Sequence, residues 1–223
     1  MRRVFPPPDT ETTVAEAYGV PRHRHPDGRP WIGLCMVTSI DGSTVVNGNS
    51  EALSGPADRD VLIGLRSFAD VIVVGASTIR QEEYAKPSKP GQTIGVVTRS
   101  ANLDLETDLF RSGAGFLILP ENTPVPNSAV RCIRAGQDGV DLIAAMKQLS
   151  GTFVQLEGGP TLNASMFAAD LVDEINITIS PLIAGGAGPR LTHGVPDLHR
   201  QFEVAHVLHD DGFLFIRYIR RTS

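Results

Sequence analysis

Glu157 closes the apolar run Phe153-Val154-Gln155-Leu156 and stands directly before Gly158-Gly159-Pro160-Thr161-Leu162. An unpaired charge at the end of a buried strand is costly, so this carboxylate needs a partner, and a substrate can be one. The residues after it read as a strand running straight into a helix. Val and Phe favour a pleated strand, Pro160 fits a first helical turn where its missing N–H costs nothing, and Thr161 adds a hydroxyl to the unpaired amides there. Glycines allow close approach of a phosphate while free N–H groups and the positive end of the helix dipole face it. A nucleotide pyrophosphate is the natural guest, although a bare Gly-Gly is equally an ordinary tight corner. Arg66 lies beyond Leu62 and Leu65 in a helical pattern. It can meet an anionic substrate or only a surface acid, and its position alone does not choose between them.

Two further strand ends carry polar groups. Val71-Ile72-Val73-Val74 leads into Gly75-Ala76-Ser77-Thr78-Ile79, whose hydroxyls can bond phosphate or ribose oxygens, or in the case of Ser77 simply cap a helix. Val96-Val97 leads into Thr98-Arg99-Ser100, a guanidinium between two hydroxyls that suits a 2′-phosphate. Taken alone, Arg99 is an ordinary solvated loop residue. Ligands of open α/β sheets bind outside the carboxyl ends of the strands, so three such ends in one sheet reinforce one another. Asp41, in Thr38-Ser39-Ile40-Asp41-Gly42-Ser43, can handle a proton or hold a polar ring, yet Asp-Gly is also a common turn pair. Gly185-Gly186-Ala187-Gly188-Pro189-Arg190 does not complete a dinucleotide fingerprint and reads as a mobile loop.

The elements that must position these groups follow from periodicity. Strands are expected at Trp31–Thr38, Asp70–Val74, Thr93–Val97, Gly115–Leu119, Ala129–Ile133, Phe153–Leu156, Glu174–Ser180, Phe202–Leu208 and Phe213–Ile219, and helices at Pro56–Ser67, Val140–Leu149 and Thr161–Ala168. Continuous apolar strands alternating with helices imply a mainly parallel sheet covered on both faces. The last two strands flank His209-Asp210-Asp211-Gly212, a hairpin signal, so the sheet should finish antiparallel. Residues 1–30 read as an N-terminal extension with a proline run, a short helix from Thr10 to Tyr18 and a polar segment whose His23 and His25 are expected in solvent, leaving residues 31–223 as the functional domain.

At 223 residues and 41% hydrophobic content the chain can bury one full core. The net charge of -5 argues against a generic nucleic-acid surface. Cys35 and Cys132 form no CxxC and have no His-x-Glu partner, so neither a zinc site nor a zinc deaminase site is expected. Without an apolar run of signal-peptide or membrane-span length, a reducing, cytoplasmic setting is the simplest expectation.

Together and in order, the Ser39-Ile40-Asp41-Gly42 turn, Leu65-Arg66, Asp70 to Thr78, Leu156 to Leu162, and Leu171-Val172-Asp173-Glu174 leading to Ser180-Pro181-Leu182-Ile183-Ala184-Gly185-Gly186 resemble one family. It is the reductase domain of the riboflavin-biosynthesis deaminase–reductases, in the dihydrofolate-reductase-like superfamily, and the likeness runs from Trp31 to Ile219. The resemblance implies an α/β fold of dihydrofolate-reductase type and an NADPH-dependent reduction of a pyrimidine ribosylamine phosphate, with hydride delivered to the ribose C1′. By position it implies cofactor contacts at Val37, Thr78, Thr98, Arg99, Ser100, Gly158, Gly159, Pro160, Thr161 and Leu162. Substrate contacts fall at Ser50, Arg66 and Glu157, with Arg66 near the phosphate, and catalytic roles fall to Asp41 and Glu157. It also implies a homodimer.

The chain departs from the family at Cys35, where a Lys is usual, at Ala52, where a Trp is usual, and at Gln81-Glu82-Glu83-Tyr84-Ala85-Lys86-Pro87, where Asp-Asp-Pro and a following Arg are usual. No deaminase half accompanies it, so a stand-alone reductase is expected. Two other readings keep the fold: a pterin reductase acting on a substrate such as dihydrofolate, and a nucleotide-binding protein without turnover.

Overall fold

The computed structural model describes residues 1–82, 84–126 and 129–221. Its centre is set by β-branched runs that can only be buried. Val71–Gly75 (β4) and Gly115–Leu119 (β6) are buried at every position, and Thr93–Val97 (β5) lies between them. Phe153–Leu156 (β8) and Trp31–Thr38 (β3) continue the parallel array on one side and Cys132–Arg134 (β7) closes it on the other. Glu174–Ile179 (β9) pairs parallel with β3. The hairpin of Phe202–Asp210 (β10) and Phe213–Arg220 (β11) then adds antiparallel strands beside β9, as the turn signal predicts.

The helices cover this sheet. Pro56–Phe68 (α2) begins with proline in its first turn and turns Val61 and Leu65 inward, four residues apart, with Asp58 in its first turn and Arg66 in its last. Lys89 and Gln92 cap its C-terminus, donating to the carbonyl of Ala69, and Gln92 also reaches that of Arg66. Ala76–Gln81 (α3) follows β4 directly, and Asp108–Arg111 (α4) precedes β6. Leu142–Lys147 (α5) and Pro160–Ala168 (α6) pack their apolar residues over the parallel strands in the largest core.

Four expectations need correction. The helix expected at Val140–Leu149 starts only at Leu142, because the Asp141 side chain accepts the amide of Ala144 and fixes the start. The strand expected at Ala129–Ile133 is displaced to β7, whose Cα partners on β6 begin at Leu117 and Cys132. Helix Thr10–Tyr18 is reduced to Val14–Tyr18 (α1) by a capping box between Thr13 and Glu16, and Thr10–Glu11 (β2) is extended instead. The hairpin, expected to finish the sheet, does not form its edge. Arg2–Phe5 (β1) covers it, pairing antiparallel with β10, and β2 follows outside.

Residues 1–30 are thus built into the sheet. Tyr18 is 1% exposed. Arg22 and Arg217 both grip the Glu174 carboxylate, which also accepts from Trp31 and Asn176, while Arg29 forms a bidentate pair with Asp173. His25, expected in solvent, is partly covered, stacked 5.6 Å from the Trp31 ring and 3.1 Å from Asp173.

Candidate active site

The carboxyl ends of β3, β4 and β8 meet the start of α6, one face of α2 from Asp58 to Arg66 and the residues just beyond α3. Between them lies a cavity lined by Val37, Ser50, Arg66, Thr78, Glu157, Gly159 and Pro160, which the sequence singles out. Cys35, Asp58, Glu82 and Tyr84 line it as well.

Glu157 has found its partner within the chain. Its Oε1 accepts from Arg66 Nε at 2.7 Å and its Oε2 from Arg66 Nη2 at 2.7 Å, a bidentate pair that α2 and β8 hold from opposite sides. Tyr84 Oη donates to Oε2 at 2.9 Å, and Gln155 Nε2 donates to Oε1 at 3.0 Å. Burial, and then the Glu157 charge, push the Tyr84 phenol well above its ordinary range, so it remains a donor. The Arg66 charge expected near a phosphate is therefore already balanced by a carboxylate, although 35% of its side chain remains exposed to the cavity side.

Asp58 is a second buried carboxylate on this wall. Only 9% exposed, it takes a 2.6 Å hydrogen bond from Ser54 at one oxygen. Beside it the Cys35 thiol is pushed up by burial first and by the Asp58 and Glu157 charges next, so it is an inert wall group. Ser50 donates to Glu82 at 2.9 Å, joining the segment after β3 to the end of α3. Glu83 lies outside the described residues.

The turn from β8 into α6 forms where the sequence places it. Gly158 has φ +89°, the left-handed region that glycine tolerates, and its carbonyl accepts from Gly75. The Gly159 amide donates to Thr78 Oγ1 at 3.2 Å, linking the ends of β4 and β8. A Cβ on Gly159 would stand 3.0 Å from Thr78 Oγ1 and 3.3 Å from Ser77 Oγ. Pro160 supplies no donor, and among the described residues the amides of Thr161 and Leu162 have no partner, which leaves the N-terminal donors of α6 free.

On the far side of this turn a second cleft is lined by Ser77, Thr98, Arg99, Ser100, Thr161 and Leu162, together with Arg80. Thr98 Oγ1 accepts the amides of Ser100 and Ala101, so the end of β5 is itself a capped turn. The two clefts adjoin across α6, with Pro160 facing one and Thr161 the other. That continuity fits an extended dinucleotide, whose pyrophosphate would lie on the free amides.

Asp41 is not among the residues lining either cleft. It is exposed and accepts from the Ser39 hydroxyl and from the amides of Ala184 (3.0 Å) and Gly185 (2.8 Å). The Ser39 bond, then the two amides, lower its carboxyl to about 2. Its task in the structure is to fasten the 184–185 segment. Thr44 fastens the same loop through two bonds to the Pro189 carbonyl, so the segment read as mobile is tied down at several points.

Sequence reasoning did not find Asp58, Tyr84, Gln155 or Arg80. Asp58 carries the signal of any first-turn acid, and Tyr84 sits in a segment noted only for its departure from the family. Among the described residues no group of His, Cys, Asp and Glu could hold a metal ion, and no helix is long and apolar enough to cross a membrane.

Comparison with known proteins agrees with this architecture. The chain is 29% identical over 186 residues to the 2,5-diamino-6-ribosylamino-4(3H)-pyrimidinone 5′-phosphate reductase of Methanothermobacter thermautotrophicus, covering 73% of this chain and 82% of that protein. It is 27% identical over 172 residues to the riboflavin biosynthesis protein RibD of Mycobacterium tuberculosis, but spans 46% of that longer protein. Among solved structures, a pyrimidine reductase-like protein of Corynebacterium diphtheriae superposes with a TM-score of 0.79 at 23% identity, covering 96% of this chain and all of that one. Dihydrofolate reductase from Enterococcus faecalis shares the fold at a TM-score of 0.55 and 14% identity, covering 86% of this chain and 97% of that one. The model for the RibD C-terminal domain matches residues 30–213, and the chain belongs to that family.

Proposed function

We propose that this protein is an NADPH-dependent reductase of the riboflavin pathway, acting on a ribosylamino-pyrimidine 5′-phosphate and working as a cytoplasmic homodimer. The observation that carries the reading is the shared cavity. The Thr78–Gly159–Pro160 turn and the Arg66–Glu157–Tyr84 constellation open into one space, so a nicotinamide ring and a polar acceptor would be held side by side. Bound NADPH supplies the hydride that the protein itself cannot.

The chain's own residues do the rest. Thr161 and Leu162 offer amides to the pyrophosphate, and Thr98, Arg99 and Ser100 receive the adenosine end and its 2′-phosphate. Val37 and Thr78 border the nicotinamide end of the cavity. Arg66, Glu157 and Ser50 orient the substrate, and Asp58 accepts from an amino group on its ring. Asp41 acts at one remove by holding the 184–185 segment. Net reduction adds a hydride to C1′ of the open-chain imine and a proton to its nitrogen, giving the ribityl amine. That proton comes from solvent reaching the cavity, while the Tyr84 hydroxyl stays on Glu157 and keeps the carboxylate in place.

Asp58 also favours a second reading. A buried carboxylate with one intramolecular partner can equally bind the amino-pyrimidine edge of a pterin, which would make the protein a dihydrofolate-type reductase. Incubation with NADPH and either the pyrimidinone phosphate or dihydrofolate, followed through NADPH absorbance, separates the readings. Consumption with the first alone supports the proposal, and consumption with dihydrofolate alone replaces it. NADPH binding without turnover on either would make the chain a nucleotide-binding protein.

A further inference from the structure

A second cleft lies at the opposite end of the strands from the active-site cavity. The segment 20–26 crosses the amino end of β3 and the carboxyl end of β11 and borders a space of about 390 Å³ with them. That is within the roughly 300–1,000 Å³ of small-molecule sites. Arg22, Arg24 and Arg217 line it together with His23, His25 and Trp31, and among the described residues no acid does. In a chain of net charge -5 the cleft is a local reversal of sign.

The carboxylate behind this wall is fully used. Glu174 is buried and accepts two bonds from Arg22 (3.0 and 2.7 Å), two from Arg217 (3.0 and 3.1 Å) and one each from Trp31 and Asn176. That exceeds the roughly four lone-pair sites of a carboxylate, and one negative charge faces two guanidiniums. Arg22 gives its Nη1 to the carbonyls of Tyr18 and Val20, whereas Arg217 Nη1 has no partner among the described residues. Arg24 is held at the rim by the carbonyls of Leu149, Gly151 and Gly28, which satisfy its donors and leave its charge uncompensated. Beside these cations the Trp31 and His25 rings stack with centroids 5.6 Å apart and planes 15° apart, forming a flat aromatic wall.

We propose that this cleft binds an aromatic heterocycle carrying a phosphate monoester, a ligand of mononucleotide type, at a site separate from those of substrate and NADPH. Arg22, Arg24 and Arg217 less Glu174 leave two positive charges, which a phosphate monoester of charge about −2 balances. Guanidinium forks match phosphate oxygens in geometry as well as in charge. The phosphate takes the free Arg217 donor and the Arg24 and His23 rim, and the ring takes the wall of Trp31 and His25. A carboxylate of single charge would leave part of the cleft's charge unmet, and an uncharged heterocycle would leave all of it.

Trp31 is the only tryptophan of the chain, so its fluorescence reports the cleft directly. Adenosine 5′-monophosphate titrated at low salt should quench it in the wild type, and equally in Gly159→Val, where the cofactor turn is blocked. His23→Glu sets a negative charge on the exposed rim and should weaken the nucleotide about tenfold or more, with circular dichroism unchanged. Adenosine, which lacks the phosphate, should also bind about tenfold more weakly or worse. No quenching by the nucleotide, or adenosine binding as well as the nucleotide, overturns the site. So does quenching that Gly159→Val abolishes and His23→Glu spares, because the nucleotide then sits at the cofactor turn. If His23→Glu fails to fold, the adenosine and Gly159→Val titrations decide the matter alone.

Discussion

Exchanging Arg66 for Met leaves Glu157 buried with a charge that only Tyr84 and Gln155 still contact. Breaking a fully buried pair costs about 3–5 kcal/mol, and an exposed pair contributes about 0.2–1 kcal/mol. Here the carboxylate side chain is 4% exposed and the guanidinium 35%, so an intermediate loss of about 2–3 kcal/mol is expected for Arg66→Met. Glu157→Gln leaves the charge on the partner that reaches solvent, and about 1 kcal/mol is expected. In Arg66→Met/Glu157→Gln neither charge is stranded, so the double variant should recover about 1.5 kcal/mol of the summed losses. With a urea slope of about 2 kcal/mol per molar, Arg66→Met should lower the unfolding midpoint by roughly 1 M, and the double variant by less than the sum of the singles. Losses that add to within about 0.5 kcal/mol, or a Glu157 variant less stable than the Arg66 variant, would refute the buried-carboxylate account.

Arg99→Ala should weaken NADPH by about one to two orders of magnitude and leave NADH unchanged, because charge-assisted bonds to a phosphate contribute roughly 1.5–3 kcal/mol; equal losses in a binding titration would remove Arg99 from the 2′-phosphate site. Gly159→Val should abolish NADPH binding in a folded protein, since the new side chain presses on Thr78 and Ser77 beside the free amides; unchanged affinity would contradict the cradle. Stability should fall in acid in two overlapping stages. Burial first, and Arg217 next, hold His206 neutral and lower it from 6.5 to about 4, so the unfolded chain takes up the proton first and about 3 kcal/mol is lost as pH falls from 6.5 through 4. Arg22 and Arg217 outweigh the burial of Glu174 and lower it from 4.5 to about 2, so its contribution is lost between those values. Melting temperatures of His206→Gln should stay flat from pH 6.5 down to 4.5, above the Glu174 window, and a slope in the variant as steep as the wild type's there would reject the assignment.

Much of the fold is legible wherever the signal is local. Phe153–Leu156 and Gly115–Leu119 are apolar without interruption and bounded by turn residues, and Pro160 after two glycines marks the start of α6. The N-terminal strand is not legible. Arg2-Arg3-Val4-Phe5 is short and half charged, and it becomes a strand only because β10, some two hundred residues later, offers an open edge. The site divides in the same way. The sequence demands a partner for Glu157, and the structure supplies Arg66 from 91 positions earlier, a pairing that no local pattern encodes. Asp58 reads as an acid that complements a helix dipole, and Tyr84 as a loop aromatic, until the ends of α2 and α3 bring both to one cavity.

Hydride delivery to the sugar carbon is the centre of the account. NADPH deuterated at the transferable C4 position, incubated with the protein and the ribosylamino-pyrimidinone phosphate, should yield a ribityl product carrying one deuterium at C1′ by mass spectrometry and NMR. A product without deuterium at C1′, or no product while deuterium passes to dihydrofolate, would contradict it.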